Sequence, residues 1–144
     1  MSKLLTVAMP CYNVEAYLER GLSSFADPRF SDDVEVLIVN DGSTDDTRAM
    51  LDALAREDSH VRAVHFARNG GHQIAVSAGL EDADGDAVVI IDADLQDPPE
   101  VIPEMVEKWR AGAQVVYGQR RRREGESAFK KWTAATYYKA LSWL

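Results

Sequence analysis

The stretch "VVIIDADLQDPPE", residues 88–100, runs four apolar residues straight into three carboxylates, Asp92, Asp94 and Asp97, with Gln96 among them. Like charges this close repel, and a cation that neutralised them would relieve the repulsion. Asp92 and Asp94 are two apart, so on extended chain they are expected to point the same way. Carboxylate and carbonyl oxygens are the ligands of a hard divalent cation, and Mg²⁺ or Mn²⁺ typically takes only one or two protein carboxylates, completing its shell with water and a diphosphate. An isolated D-x-D reads first as an acidic surface turn that starts the next helix, a duty open to Asp97 ahead of Pro98 and Pro99. Its place directly after an apolar strand, with polar loops from elsewhere in the chain to face it, favours a metal–diphosphate site.

Those loops are Pro10-Cys11-Tyr12-Asn13 with Glu15, Asp41-Gly42-Ser43, Asn69-Gly70-Gly71-His72-Gln73, and Gly118 with Arg120. Each follows an apolar, partly β-branched run, and the runs over residues 4–9, 34–40, 61–66, 87–92 and 113–118 read as five strands. Pro10 is expected to end the first. Helical stripes lie between them: Val14, Tyr17, Leu18, Leu22 and Phe25; Met50, Leu51 and Leu54 behind Ser43 or Thr44 as N-cap; a short helix over 74–83. A further stripe, Val101, Ile102, Met105, Val106 and Trp109, follows prolines that suit a first helical turn, and Gly112 ends it. Strands alternating with helices imply an α/β fold with a mostly parallel sheet and helices on both faces. Such sheets bind ligands outside the carboxyl ends of their strands, where these loops lie.

The 144 residues suit one domain, and 46% apolar with 28% charged residues is ordinary for a globular protein. The single cysteine, Cys11, allows neither an internal disulfide nor a multi-cysteine metal site. No apolar run resembles a signal peptide or approaches the roughly 20 residues that span a bilayer, so the chain reads as soluble or peripheral. There is no G-x-x-x-x-G-K-[ST], and no G-x-G-x-x-G follows the first strand, which sets aside a P-loop and a dinucleotide-binding domain. His60 and His65 flank a strand and read as structural; His72 is the histidine placed to touch a ligand. Charge is uneven: net −15 through residue 107 and +7 from 108 to 144, for a total of −8. The basic part, "RRRREGESAFKKWTAATYYKALSWL", sets Lys and Arg beside Phe129, Trp132, Tyr137, Leu141 and Leu144, as suits a helix lying on a membrane surface. A helix packed on the domain with a basic rim is the plainer alternative. Nucleic acid is not an expected partner, because the acidic body repels a polyanion.

The motifs "MPCYNVE", "VNDGSTDDT", "NGGHQIAVSAGL", "DADLQDPPE" and "VVYGQR", in this order along essentially the whole chain, resemble family 2 glycosyltransferases of the GT-A fold. Together with "GESAFKK" they are most similar to the polyprenyl-phosphate glycosyltransferases, the group of dolichol-phosphate mannose synthase and the bactoprenol glucosyltransferases. The resemblance implies a Rossmann-like nucleotide-diphospho-sugar transferase domain over 1–144, with 119–144 its basic, membrane-proximal segment. It implies a nucleotide-sugar pocket of Pro10, Tyr12, Glu15, Asp41, Gly42, Ser43, Gln73 and Asp92, with Asp41 toward the base. Asp94 and Gln96 would hold Mg²⁺ or Mn²⁺ on the diphosphate, and Arg120, Lys130 and Lys131 would meet the acceptor phosphate. Asp92, Asp94 and Arg120 would be the catalytic set.

The reaction so implied moves a hexose from a UDP- or GDP-sugar to a polyprenyl phosphate with inversion, at the cytoplasmic face of a membrane. Family members continue beyond the point where this sequence stops, in "YYKALSWL" without a helix stop, so a shortened chain is expected. Rival readings are a family 2 transferase with a saccharide acceptor and a nucleotide-sugar-binding fragment without activity. A nucleotidyltransferase would usually carry a glycine-rich, basic loop after the first strand, which "PCYNVE" lacks.

Overall fold

The computed structural model describes residues 4–18, 20, 33–94 and 96–119. The chain divides into two units, Met1–Glu104 and Met105–Leu144. Among the described residues, the bounded elements are β1 (Leu5–Cys11), β2 (Val34–Asn40), α1 (Thr47–Glu57), β3 (Val61–His65), α2 (His72–Glu81), β4 (Ala87–Ile90), a 3₁₀ turn (Pro99–Val101) and α3 (Ile102–Arg110). The strands form one sheet in the order β3-β2-β1-β4, with every pair parallel. The chain thus builds outward from β1 through β2 to β3, then returns to lay β4 on the other side of β1.

All of β1 is buried, and so is β2 after its first residue, because a parallel sheet covered on both faces exposes neither. On one face, a Cβ added to Gly79 of α2 would lie 3.2 Å from Ala8 and 3.4 Å from Val39, so this glycine lets helix and sheet approach closely. On the other face, Asn40 reaches through His65 to Asp52 of α1. Helices therefore cover both faces, as the alternation of elements implies. Among the described residues, no helix is long and apolar enough to cross a membrane.

Four expectations need correction. Pro10 does not end β1, which runs on to Cys11 opposite Asn40. The lost N–H is harmless there: Pro10 would donate toward β4, and that ladder closes just before it, with Ile91 N–H on Ala8 O. The helix after β2 is not capped by Ser43 or Thr44. It starts at Thr47 behind Asp46; Asp45 Oδ1 accepts the Thr47 N–H and Glu15 Oε2 accepts the Asp46 N–H. Residues 113–118 form no strand among the described residues, and the sheet has four strands. In the second unit α3 closes with Gly112 at φ 104°, its N–H on Trp109 O and the Ala113 N–H on Lys108 O, a Schellman stop. Beyond it Val115 and Tyr117 are exposed; β-branched and aromatic residues favour a strand only where a pleated neighbour receives them. Finally, Asp92 and Asp94 do not share an extended segment, because β4 stops at Ile90 and the chain turns at Ala93 and Asp94. The stripe positions Leu22 and Phe25 lie outside the described residues.

The amino ends of the strands are pinned by a buried carboxylate. Glu35 Oε1 accepts the Thr6 hydroxyl at 2.6 Å and the Asp84 N–H at 3.1 Å, while Oε2 accepts Arg62 at 3.2 Å. Arg62 also donates to Asp82 Oδ2 and Asp84 Oδ2. Burial pushes the Glu35 carboxyl up, but the bonds from Thr6, Asp84 and Arg62 outweigh it and hold the group below the usual carboxylate range. A carboxylate so held stabilises the fold fully above its unfolded value near ~4.3, and that stability is lost as pH falls through the lower folded value. Urea midpoints measured from pH 7 to pH 3 are expected to fall below about pH 4.3. Glu35→Gln, which turns an amide N–H₂ on Arg62, should flatten that acid limb and cost about 1–2 kcal/mol at pH 7.

Candidate donor-binding edge

At the carboxyl ends of the strands, the loops are bonded to one another. Asn13, after β1, has φ 52°, a left-handed conformation that asparagine tolerates. Its N–H donates to Ser43 Oγ, and its Oδ1 accepts the Thr44 N–H, each at 2.9 Å. Val14 N–H donates to Thr47 Oγ1, and Glu15 N–H to Asp45 Oδ2. The loops after β1 and β2 are in this way stitched into one surface.

Asp41 ties the loop after β2 to the loop after β3. Its carboxylate, 4% exposed, accepts the Gly70 N–H at 2.6 Å and the Gly71 N–H at 3.0 Å. Beside it, Gly42 has φ +68°, and a Cβ there would lie 2.4 Å from the Arg68 carbonyl carbon. No side chain fits, so two backbones pass in contact where only glycine allows it. The grip fixes the start of α2, where His72 stands with Nε2 3.8 Å from Asp92 Oδ1, joining the loop after β3 to the end of β4. Asp94 Oδ1 accepts the Gln96 N–H at 3.0 Å within its own turn.

The structure therefore brings Tyr12, Glu15, Asp41, Gly42, Ser43 and Asp92, on loops, and Gln73, in the first turn of α2, to one edge of the sheet, with Pro10 buried in β1. Several have duties the sequence did not reveal. Glu15 serves the first turn of α1, and both Asp41 oxygens are engaged by backbone. Tyr12, Gln73, Asp92, Asp94 and Gln96 remain exposed. Arg120, Lys130 and Lys131 lie outside the described residues. Sequence reasoning missed Asn13, Asn40 and Asp45. An asparagine before Asp-Gly and another directly after a strand were the available signals, since short polar side chains bond to nearby backbone.

Beneath the edge, burial first, then the Asp45 and Asp41 carboxylates, push the Cys11 thiol up to about 12. Asp45 itself is held low: its slight burial pushes it up, but bonds from Thr47 and from the Glu15 N–H outweigh that. Asp92 and Asp94 are exposed, and no described Lys or Arg pairs with either. Hard oxygen donors with no Lys or Arg paired to them are chemically fit to hold Mg²⁺ or Mn²⁺. No group of three His, Cys, Asp or Glu side chains stands together among the described residues, so such a cation would take most of its shell from water and a diphosphate.

An α/β domain with polar loops gathered at the carboxyl edge of a parallel sheet is the layout of a nucleotide-binding enzyme. The crystal structure of S. aureus TarS 1–349 in complex with UDP-GlcNAc superimposes with a TM-score of 0.64 at 24% identity, over 88% of this chain and 38% of that one, which places the fold as GT-A. Residues 6–142 match the model of glycosyl transferase family 2, and the chain belongs to that family. It is 45% identical over 139 residues to the uncharacterized glycosyltransferase YkcC of Bacillus subtilis (strain 168), covering 95% of this chain and 43% of the relative. It is 48% identical over 107 residues to the bactoprenol glucosyl transferase of Shigella phage SfV, covering 74% of this chain and 35% of the relative. The chain thus spans less than half the length of these relatives.

Three outcomes are expected. Gly42→Ala should destabilise by about 2–4 kcal/mol in urea unfolding, combining backbone strain with overpacking against Arg68. Cys11 should resist a thiol reagent at pH 8 in the native protein and react at once in denaturant. Because its neutral form is favoured in the folded state, stability should fall as pH rises above the ordinary thiol value of 9.0 toward 12.

Proposed function

We propose that this chain is the donor-binding part of a polyprenyl-phosphate hexosyltransferase. The carrying observation is the single surface made by the loops after four parallel strands, with the oxygen donors Asp92, Asp94 and Gln96 following β4. Similarity to a bactoprenol glucosyl transferase supports a lipid phosphate as acceptor. The basic residues Arg120, Lys130 and Lys131 suit its anionic head and a membrane surface carrying anionic lipid.

In this reading the Asp41 grip holds the loop that carries Gln73 to the sugar-nucleotide, and Tyr12 flanks the nucleotide from the loop after β1. Asp92 addresses the sugar–ribose region. Asp94 and Gln96 would hold Mg²⁺ or Mn²⁺, which supplies charge stabilisation for the departing nucleotide diphosphate. The acceptor phosphate is anionic at pH 7 and needs little or no general base, so its oxygen attacks the anomeric carbon directly. The new C–O bond forms opposite the breaking bond to the diphosphate, and configuration inverts.

Calorimetric titration of UDP- and GDP-hexoses, with and without Mn²⁺, tests the reading. One nucleotide-sugar is expected to bind in a metal-dependent way, and Asp94→Ala should weaken that binding at least tenfold. Unchanged heats in Asp94→Ala sink the metal assignment. Absence of binding by every nucleotide-sugar sinks the donor site.

A further inference from the structure

His65 is the last residue of β3 and is not among the residues assigned to the donor. Its side chain is 12% exposed, with both ring nitrogens engaged. Nε2 lies 3.1 Å from Asp52 Oδ1 of α1, and Nδ1 lies 3.0 Å from Asn40 Nδ2. Asn40 is 1% exposed, and its Oδ1 accepts the Ser43 N–H at 2.9 Å. Ser43 Oγ accepts the Asn13 N–H, and Asn13 Oδ1 accepts the Thr44 N–H. An unbroken line of hydrogen bonds thus runs from α1 through β3 and β2 into the loops after β2 and β1.

A histidine bonded to a carboxylate at a strand end is most often a satisfied core residue. The direction of these bonds says more. A carboxylate only accepts, so Nε2–H donates to Asp52; the Asn40 oxygen is taken by the Ser43 N–H, so its N–H₂ faces Nδ1, which is the acceptor. The acceptor takes the Asn40 N–H₂, which turns the amide oxygen toward Ser43. With the amide reversed, N–H₂ would face the Ser43 N–H, donor against donor, and the Asp41-Gly42-Ser43 turn would lose its anchor. His65 and the Ser43 N–H thus hold the buried amide from opposite ends, and that amide anchors the turn between Asp41 and Ser43.

We propose that His65 is a positioning residue for the donor pocket. It acts through Asn40 on Ser43 and Asn13 and touches no substrate itself. The proposal rests on the donor-site reading above and adds to it a residue on the far side of β2. Its requirement is an acceptor at the Nδ1 position, a stricter demand than filled volume.

The test compares two variants. His65→Asn keeps an oxygen acceptor near the Nδ1 position and loses the bond to Asp52. His65→Leu loses both. Similar falls in melting temperature are expected for the two. In titrations with the nucleotide-sugar that binds the wild-type chain, His65→Asn should stay within threefold of wild type, and His65→Leu should weaken at least tenfold. Equal weakening of both variants, or wild-type affinity in His65→Leu, overturns the proposal. If the wild-type chain binds no nucleotide-sugar, the donor-site reading fails first, and nitrogen-15 NMR decides the positioning separately. The expected spectrum shows the Nε2–H tautomer at His65, with the Ser43 amide signal displaced in His65→Leu and retained in His65→Asn. An Nδ1–H tautomer, or an undisplaced Ser43 signal in His65→Leu, overturns it.

Discussion

Two short hydrogen bonds from Gly70 and Gly71 to the Asp41 carboxylate join the outer half of the sheet to its centre at the working edge. The loop they hold has few other ways of being placed. It follows the edge strand β3, contains two adjacent glycines, and must deliver His72 and Gln73 at the start of α2. A buried carboxylate is costly unless its oxygens are satisfied, and backbone N–H groups satisfy them with little side-chain entropy to lose. The neighbouring Gly42 completes the joint by letting the backbone of residues 68–69 pass in contact. His72 at Asp92 and the start of α2 both depend on that joint.

Glu35, near the start of β2, and Asp41, just beyond its end, bracket one strand. Both are buried carboxylates, and both accept backbone N–H groups from segments distant in sequence. Their surroundings divide them. Glu35 is joined by Thr6 and by Arg62, which also draws in Asp82 and Asp84, so the amino end of the sheet is closed by opposite charges. Among the described residues no Lys or Arg pairs with Asp41, and its partners are glycine backbone N–H groups. One end of the sheet is held by opposite charges, the other by backbone N–H groups.

Much of this was legible in the sequence, and what was missed has a common cause. Apolar runs such as "VEVLIVN" announce strands buried on both sides, so the parallel sheet and its carboxyl edge could be read directly. The positions of Asp41, Gly42, Ser43, Gln73 and Asp92 on that edge follow from the strands alone. Partners could not be read the same way. Val115, Val116 and Tyr117 have strand propensity, yet propensity does not supply a neighbouring ladder. Ser43 has the right chemistry for a helix cap, but Asn13 and Asn40 had already claimed its hydroxyl and N–H. Asp92 and Asp94 alternate in sequence, but β4 stops before alternation can set their direction. His65 read as structural from its place beside a strand, and only the identity of the atoms it faces gives it a directional part. Bonds between residues some 30 apart in sequence decide these matters, and one-dimensional patterns do not encode them.

Pro10 gives this edge its shape. On its other side β1 continues to pair with β2 as far as Cys11, so the two strands and their loops leave the sheet together. Toward β4, the next rung after Ala8 and Ile91 would require a hydrogen that a proline nitrogen does not carry. The zipper between β1 and β4 is therefore disarmed at a fixed tooth, and it is here, where strand order reverses, that doubly wound sheets part. Asp92 is the first residue past that tooth. A missing hydrogen on a buried amide nitrogen thus keeps β1 and β4 from pairing further at the point where Asp92 leaves the sheet.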